Sequence, residues 1–220
     1  MTTLLDRSIR RCGEHRGKSA GREAAMAIYQ IEHGDPDRRE AVAGWLEGLE
    51  LVSKPVREQV ITAWVSAWKS SPFVSLDEMP FSAQAPGYPL RRHVNDVTRT
   101  GLDLARRTTA QWGEEIDYDV LVPILALHDV DKPLLFRRDG DKVGYTPLAR
   151  EIPHGVIGAM LIKDLDFPDK VVSTVATHSG NAPFHGRNLE AFLLHYADFF
   201  SADHVLLSEG GQPYYQRHGR

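Results

Sequence analysis

The sequence predicts an all-α protein with room for one small β-hairpin. Through most of the chain, apolar residues recur at the spacing that places them on one face of a helix. Start and stop signals bound these stretches. Ser53-Lys54-Pro55 offers a capping serine and an early proline, and His33-Gly34-Asp35-Pro36 ends a helical pattern. One segment, residues 134–145, instead reads as two short extended runs around an Asp-Gly turn.

The first 80 residues are predicted to form a loose N-terminus, residues 1–20, and a helical extension, residues 21–80. The N-terminus is rich in arginine, lysine, serine and glycine, and it holds little apolar sequence. In the extension, Trp64 and Trp68 share one stripe with valines, which is typical of core packing. The predicted helices of the extension are Gly21–Glu32, Asp37–Leu49 and a third that begins at Ser53-Lys54-Pro55.

Residues 70–89 are predicted to be irregular, because several prolines and Gly87 interrupt them. They mark the boundary before the main core, residues 81–210, which a short tail, residues 211–220, follows. The predicted elements of the core are helices over Leu90–Trp112 and Tyr118–Leu127, a hairpin within Leu134–Tyr145, and helices that resume near His154, Pro168 and Asn188.

Composition argues against several functional classes. The 220 residues carry a formal net charge of -4, which gives no electrostatic case for nucleic-acid binding. No apolar run approaches the length of a membrane span, and the first 22 residues lack the apolar stretch of a secretion signal. The single cysteine, Cys12, leaves no internal disulfide and favours a reducing, cytoplasmic location. Any metal site must therefore use nitrogen and oxygen ligands.

The ten histidines are the unusual feature, because several lie on helices that look buried. His128-Asp129 ends the apolar stretch LVPILAL, where an imidazole beside a carboxylate is costly without a metal or a counter-charge. His93 lies beside the apolar face of the helix that begins at Leu90. Each of these also has a structural interpretation, as a hydrogen-bonded core histidine or a helix-terminal aspartate.

Three further polar residues occupy comparable positions. His154 opens an apolar helix, His178 ends another, and Asp198 lies among leucines and aromatic residues in LEAFLLHYADFF. A helix cap or a contact with the helix dipole explains either histidine taken singly. Taken as a set, the residues indicate a site for one or two divalent transition metal ions. Imidazole and carboxylate suit iron, manganese, cobalt, nickel or zinc better than a pure magnesium site.

The order H…HD…H…H…D resembles the HD-domain superfamily of metal-dependent phosphohydrolases over roughly residues 88–205. The resemblance implies an all-helical HD-domain bundle in which an aspartate bridges two metal ions. The ligands that it implies are His93, His128, Asp129 and Asp198 for the first ion, with His154 and His178 for the second and Asp129 as the bridge.

Lys132, in HDVDK, matches an HDxxK variant of the superfamily. The resemblance implies that this lysine contacts an anionic group of the substrate and acts with Asp129 in catalysis, and an ammonium can do so as a point charge. The polar segment HSGNAPFHGR follows His178 directly, and we predict that it lines the substrate entrance, with His185 or Arg187 binding substrate. An ordinary solvated loop is the competing interpretation.

Three functions remain open on the sequence. The first is a phosphohydrolase that acts on a small, anionic phosphorylated metabolite or nucleotide through metal-activated water. The second is an HD-type diiron oxygenase that cleaves a carbon–carbon or carbon–phosphorus bond with dioxygen. Iron is the favoured metal if the site is dinuclear. The third is a regulatory or binding module. The GYP and HDxxE signatures of other HD subfamilies are missing, and a homodimer stays open.

Overall fold

The computed structural model describes residues 27–180 and 187–217. Within these residues helices dominate, which confirms the predicted all-α class. The helices are α1 (Pro36–Trp45), α2 (Lys54–Lys69), α3 (Leu90–Trp112), α4 (Tyr118–Leu127), α5 (Lys132–Leu135), α6 (Leu148–Glu151), α7 (Val156–Lys163), α8 (Asp169–Thr177), α9 (Leu189–Ser208) and α10 (Tyr214–Arg217).

Two antiparallel hairpins accompany the helices: β1 (Pro80–Ser82) with β2 (Ala85–Pro89), and β3 (Phe136–Asp139) with β4 (Lys142–Tyr145). The second hairpin confirms the prediction from the Asp-Gly turn. The first was not predicted, because its prolines disfavour strands in general. A two-stranded ribbon tolerates them, since each strand has a free edge on which a missing N–H donor costs nothing.

The N-terminal prediction is partly wrong. Residues 21–26 of the predicted helix Gly21–Glu32 lie outside the described residues, and residues 27–35 are not helical. The backbone N–H groups of Gln30 and Glu32 instead donate to the Oγ atoms of Ser70 and Ser66, at 3.0 and 2.9 Å. These hydrogen bonds to α2 satisfy donors that a helix would have satisfied internally, so the segment lies extended along α2.

The next two helices begin close to their predicted starts. Asp35 caps α1 by accepting a hydrogen bond from the Arg38 N–H at 3.2 Å. The predicted Asp37–Leu49 helix stops at Trp45, because Gly48 adopts a left-handed φ of 81° and a short 3-10 turn follows. Helix α2 begins after Ser53 as expected, although the Ser53 side chain makes no capping hydrogen bond.

Helix α4 lies at the centre of the core, where it contacts α2, α3, α8 and α9. Residues 121–127 of this helix are buried. The Trp64 indole N–H of α2 donates to the Ala126 carbonyl at 2.9 Å, and the ring lies edge-on against Trp45 at 5.1 Å. Core packing of the tryptophan stripe is thereby confirmed. The division at residue 80 stays a prediction, and residues from both sides of it share one core.

Helices α3 and α4 meet closely at Gly101. A Cβ atom added at Gly101 would lie 2.7 Å from Leu125 Cδ1, inside a fully buried region. We expect Gly101→Ala to lower the free energy of unfolding by about 1–2 kcal/mol. Overpacking at this distance costs about 2–3 kcal/mol, and the better helix propensity of alanine returns about 1 kcal/mol.

Urea denaturation of the metal-free protein measures this effect, and Gly44→Ala is the matched control. Gly44 also lies inside a helix, but a Cβ there meets nothing within 4 Å. Gly44→Ala should therefore leave stability unchanged or raise it slightly. Equal stability of the two variants would contradict the close packing of α3 on α4.

Within residues 27–180 and 187–217, no helix combines the length and the apolar character that crossing a membrane requires.

Candidate metal centre

The six predicted ligand residues come together at one place in the fold. His93 belongs to the first turn of α3, and Asp198 lies on α9. The others lie at helix ends, where the backbone turns and the side chain can leave the helix surface: His128 and Asp129 follow α4, His154 precedes α7, and His178 follows α8. The structure therefore brings the whole predicted set together, while its role as a metal ligand set stays a prediction.

Asp129 lies at the middle of the cluster, with one carboxylate oxygen toward each of two histidine pairs. Its Oδ2 atom lies 3.4 Å from His93 Nε2 and 3.3 Å from His128 Nε2. Its Oδ1 atom lies 3.0 Å from His154 Nε2 and 3.7 Å from His178 Nε2. We call these the first and the second histidine pair. Asp129 and either pair place three potential donor atoms within 4.8 Å of one another.

Asp198 joins the first histidine pair. Its Oδ1 atom lies 3.2 Å from His93 Nε2 and 3.9 Å from His128 Nε2, and its side chain is mostly buried. Asp203, another carboxylate of α9, has a different role. It accepts the backbone N–H groups of Tyr214 and Tyr215, at 2.5 and 3.3 Å, and so holds α10 against α9.

Backbone carbonyls orient one histidine of each pair. His128 Nδ1 lies 2.8 Å from the Leu125 carbonyl oxygen, and His178 Nδ1 lies 2.7 Å from the Val175 carbonyl oxygen. A carbonyl only accepts hydrogen bonds, so each Nδ1 must carry a proton and donate. In the neutral imidazole Nε2 then keeps its lone pair, and Nε2 is the atom that faces Asp129.

His154 is oriented by a carboxylate instead. Its Nδ1 atom donates to Asp131 Oδ1 at 2.8 Å, and Asp131 Oδ2 accepts the Gly155 backbone N–H at 2.7 Å. Asp131 is fully buried. Sequence reasoning missed this residue: its carboxylate is visible in HDVDK, but nothing in the sequence pairs it with His154.

The charges of the cluster stabilise one another. Burial opposes ionisation of Asp129, but Lys132 and His128 outweigh burial and hold the pKa of this carboxyl well below its usual range. Lys132 Nζ lies 2.6 Å from Asp129 Oδ2. Burial would lower the pKa of Lys132, but Asp129 outweighs it and raises that pKa. Asp129 is therefore an anion, the state in which a carboxylate binds a metal.

The four histidines differ in their affinity for protons. Burial would lower the pKa of His154, but the carboxylates of Asp131 and Asp129 outweigh it and raise this pKa to about 10. Burial dominates at His93 and His178 and lowers the pKa of both. At His128 burial is outweighed by Asp129, which raises the pKa. Two neutral imidazoles are thus available without loss of a proton, whereas metal binding competes with a proton at His128 and His154.

The donor set fits a divalent transition metal ion. Buried imidazole nitrogens and carboxylate oxygens converge, and at His128, His154 and His178 the Nδ1 atom is held so that Nε2 faces inward. This arrangement, with a hydrogen bond behind the ligand atom, is characteristic of histidines that bind metals. The described donors are imidazole nitrogens and carboxylate oxygens, which together could hold a metal ion.

A cavity of about 180 Å³ reaches the cluster from the surface. Asp129, Lys132, His154, His178 and Asp198 line its inner end. Aromatic side chains form much of the remaining wall, and both hairpins contribute to it. These are Phe81, Phe136, Tyr145, Phe199 and Tyr214. The cavity thus joins a polar, cation-bearing floor to an aromatic wall.

Phe81 connects the first hairpin to the cluster of His and Asp residues. Its ring lies 4.0 Å from the His93 ring, centroid to centroid, and Lys132 Nζ lies 4.2 Å from the Phe81 centroid. Arg138 ties the two hairpins together, because its guanidinium donates to the carbonyls of Glu78 and Pro86 at 3.2 and 2.9 Å. Sequence reasoning missed Phe81, which lies in the proline-rich segment predicted to be irregular.

The predicted substrate-binding residues are placed differently. Lys132 lines the cavity beside Asp129. His185 lies outside the described residues. Arg187 is exposed and is not among the described residues that line the cavity. Substrate binding by either of these two residues stays a prediction.

The fold and the cluster define an all-α protein with a buried His/Asp site that could hold a metal ion. The chain is similar to dihydroneopterin 2',3'-cyclic phosphate phosphodiesterase of Methanocaldococcus jannaschii, with 29% identity over 110 residues. The aligned part is 50% of this chain and 44% of that enzyme, so the chain matches less than half of the relative's length. No family model matches the sequence. No solved structure matches the chain at a significant level.

Proposed function

We propose that the chain is a metal-dependent phosphohydrolase of the HD-domain type that hydrolyses a phosphodiester of a small metabolite. The observation that carries this proposal is the position of Asp129, which directs one carboxylate oxygen toward each histidine pair at the floor of a cavity. The similarity to a cyclic phosphate phosphodiesterase supports the reaction class. The proposed HD domain occupies residues 81–210.

The residues that would hold metal divide between the two histidine pairs. Asp198 and the first pair would bind one ion, the second pair would bind another, and Asp129 would be shared. A divalent metal in such a site supplies a Lewis acid for the phosphoryl group and lowers the pKa of a water ligand. The remaining tasks, which are binding, orientation and charge neutralisation, fall to side chains of the cavity.

Lys132 is the cation available to a bound phosphate. Its side chain is largely buried, and its ammonium lies between Asp129 and the Phe81 ring at the cavity floor. An ammonium in this partly desolvated place attracts a phosphate oxygen more strongly than the same group does in water. It would also stabilise the charge that grows on the phosphoryl group during hydrolysis.

The aromatic wall would bind the organic part of the substrate. Phe136 and Tyr145 face each other across the second hairpin, with ring centroids 5.3 Å apart. Tyr145 is about half exposed, so it lies at the rim. The cavity of about 180 Å³ between the described residues suits a small phosphodiester. No observation favours the oxygenase or the regulatory-module alternative.

Hydrolysis assays on metal-reconstituted protein test the proposal. Metal-free protein is supplied with Mn²⁺, Co²⁺ or Fe²⁺ and given bis(p-nitrophenyl) phosphate, a 2',3'-cyclic mononucleotide and p-nitrophenyl phosphate. We expect metal-dependent cleavage of the two diesters, removal of that activity by a chelator, and little activity on the monoester.

His128→Ala should abolish the diester activity. The matched control is His204→Ala, because His204 is exposed on α9 and does not line the cavity. This control should retain wild-type activity. The proposal is wrong if the fully metal-loaded protein cleaves neither diester, or if it consumes dioxygen with these substrates.

A further inference from the structure

We propose that Asp131 is a positioning residue that orients His154 and strengthens metal binding at the second histidine pair. The inference rests on the proposed function, because it takes the second pair to be a metal site. It assigns Asp131 no contact with substrate.

The partners of the histidine Nδ1 atoms differ across the cluster. Backbone carbonyls accept from His128 and His178, and His93 Nδ1 has no hydrogen-bond partner among the described residues. Of the four Nδ1 atoms, only that of His154 lies against a carboxylate, where it donates to Asp131 Oδ1. A carboxylate behind a metal-binding imidazole makes the ring a stronger donor and sets its tautomer. The second pair therefore has a support that the first pair lacks.

The carboxylate of Asp131 is held firmly in place. One oxygen accepts from His154 and the other accepts the Gly155 backbone N–H. Gly155 passes close to the Val175 backbone and only glycine fits there, because its φ is 89° and a Cβ would lie 2.7 Å from the Val175 carbonyl oxygen. Asp131 thereby links the turn after α4 to the turn before α7, and its position sets the direction of the His154 ring.

The substitution Asp131→Asn separates this role from a general structural one. Both neighbours of the carboxylate are donors, so an acid that accepts twice is replaced by an amide that accepts only on its oxygen. If the oxygen faces His154, the NH2 group opposes the Gly155 N–H. If the oxygen faces Gly155, the NH2 group opposes Nδ1 and forces the His154 proton to Nε2, where it blocks metal binding. Either orientation weakens His154 as a ligand.

Titration of metal-free protein with Co²⁺ alone tests the proposal by calorimetry and by visible absorption. The Co²⁺ ion that His154→Ala eliminates identifies binding at the second pair, and we call it the His154-dependent ion. We expect Asp131→Asn to lower the affinity for this ion by about 10–100-fold and to change its absorption band. The affinity of the other ion should stay unchanged.

Two further variants separate the outcomes. The double variant with Asp131→Asn and His154→Ala should bind the remaining ion with the same affinity as His154→Ala alone. General damage to the fold would lower that affinity as well. Asp169→Asn, which removes an exposed carboxylate on α8, should bind both ions normally. Wild-type affinity and spectrum in Asp131→Asn would overturn the positioning role alone. Failure of the wild type to bind any Co²⁺ would contradict the proposed function and this inference together.

Discussion

Replacing Asp129 with alanine is expected to remove metal from both histidine pairs and to lower the turnover number for a phosphodiester by about 10³-fold or more. The two oxygens of this carboxylate face different pairs, at 3.3 Å from His128 Nε2 and 3.0 Å from His154 Nε2. Loss of one preorganised electrostatic stabiliser alone costs about 10²–10³ in turnover. Metal content after dialysis and the rate of diester cleavage measure the two effects.

Comparison with His154→Ala distinguishes the loss of one metal ion from the loss of both. His154 belongs only to the second pair, so its removal should leave the metal ion at the first pair in place. Asp129→Ala should lose both ions. The shared-carboxylate arrangement would be contradicted if His154→Ala retained both ions, or if Asp129→Ala retained either one at wild-type affinity.

Misfolding of the Asp129 variant needs its own control. Removal of this carboxylate leaves the Lys132 ammonium without its partner in a buried site, and breaking a buried ion pair costs about 3–5 kcal/mol. Asp129→Asn keeps the shape of the side chain and should show the same metal loss with less damage to the fold. Asp169→Asn removes a carboxylate from an exposed pair with Lys163, so it should alter neither metal content nor rate.

Two helices of the core were predictable from the sequence, with approximate bounds that the structure confirms. Helices α3 (Leu90–Trp112) and α4 (Tyr118–Leu127) begin and end where the pattern places them. Local signals decide both, because Gly113 ends α3 in a left-handed conformation and Asp117 caps α4. Burial of apolar residues in these helices favours the same bounds as the local capping signals, so tertiary packing does not shift the helix ends.

Segments whose structure depends on distant partners were not predictable. The residues around Gln30 read as helical, but Ser66 and Ser70 on α2 accept their N–H groups and favour an extended chain. The strand β1 also depends on its context, because the Met79 carbonyl accepts the N–H of Leu90 at the start of α3. The spacing of apolar residues along the chain does not indicate such contacts.

The distinction between local signals and distant contacts also applies to the cluster of His and Asp residues. His128 and Asp129 could be singled out because a polar pair at the end of an apolar helix is costly without a partner, whatever the rest of the fold does. Asp131 could not be distinguished from a helix cap, since its partner His154 lies 23 residues further along the chain. Phe81 gave no signal, because its contacts with His93 and Lys132 arise only when the first hairpin folds over α3.

Substitution of Lys132 tests whether the cavity floor stabilises a substrate phosphate electrostatically. We expect Lys132→Met to retain its metal ions and to lose about 10²–10³-fold in kcat/KM for a phosphodiester, since an electrostatic stabiliser is removed while the metal ligands remain. Methionine keeps most of the apolar stem beside the Phe81 ring. In the metal-loaded protein the ions compensate the charge of Asp129, so the loss of the ammonium leaves no unbalanced anion.

Metal content and kinetics must be measured on the same preparation for this prediction to be decisive. Lys163→Met is the matched control, because Lys163 is exposed at the end of α7 and pairs with exposed Asp169 at 2.7 Å. Lys132→Arg should restore activity only in part, since a planar guanidinium does not replace a compact ammonium between a carboxylate and a ring. If Lys132→Met keeps kcat/KM within about threefold of the wild type, a difference of less than about 1 kcal/mol, then Lys132 does not contact the substrate. In that case the phosphate must be neutralised by the metal ions alone.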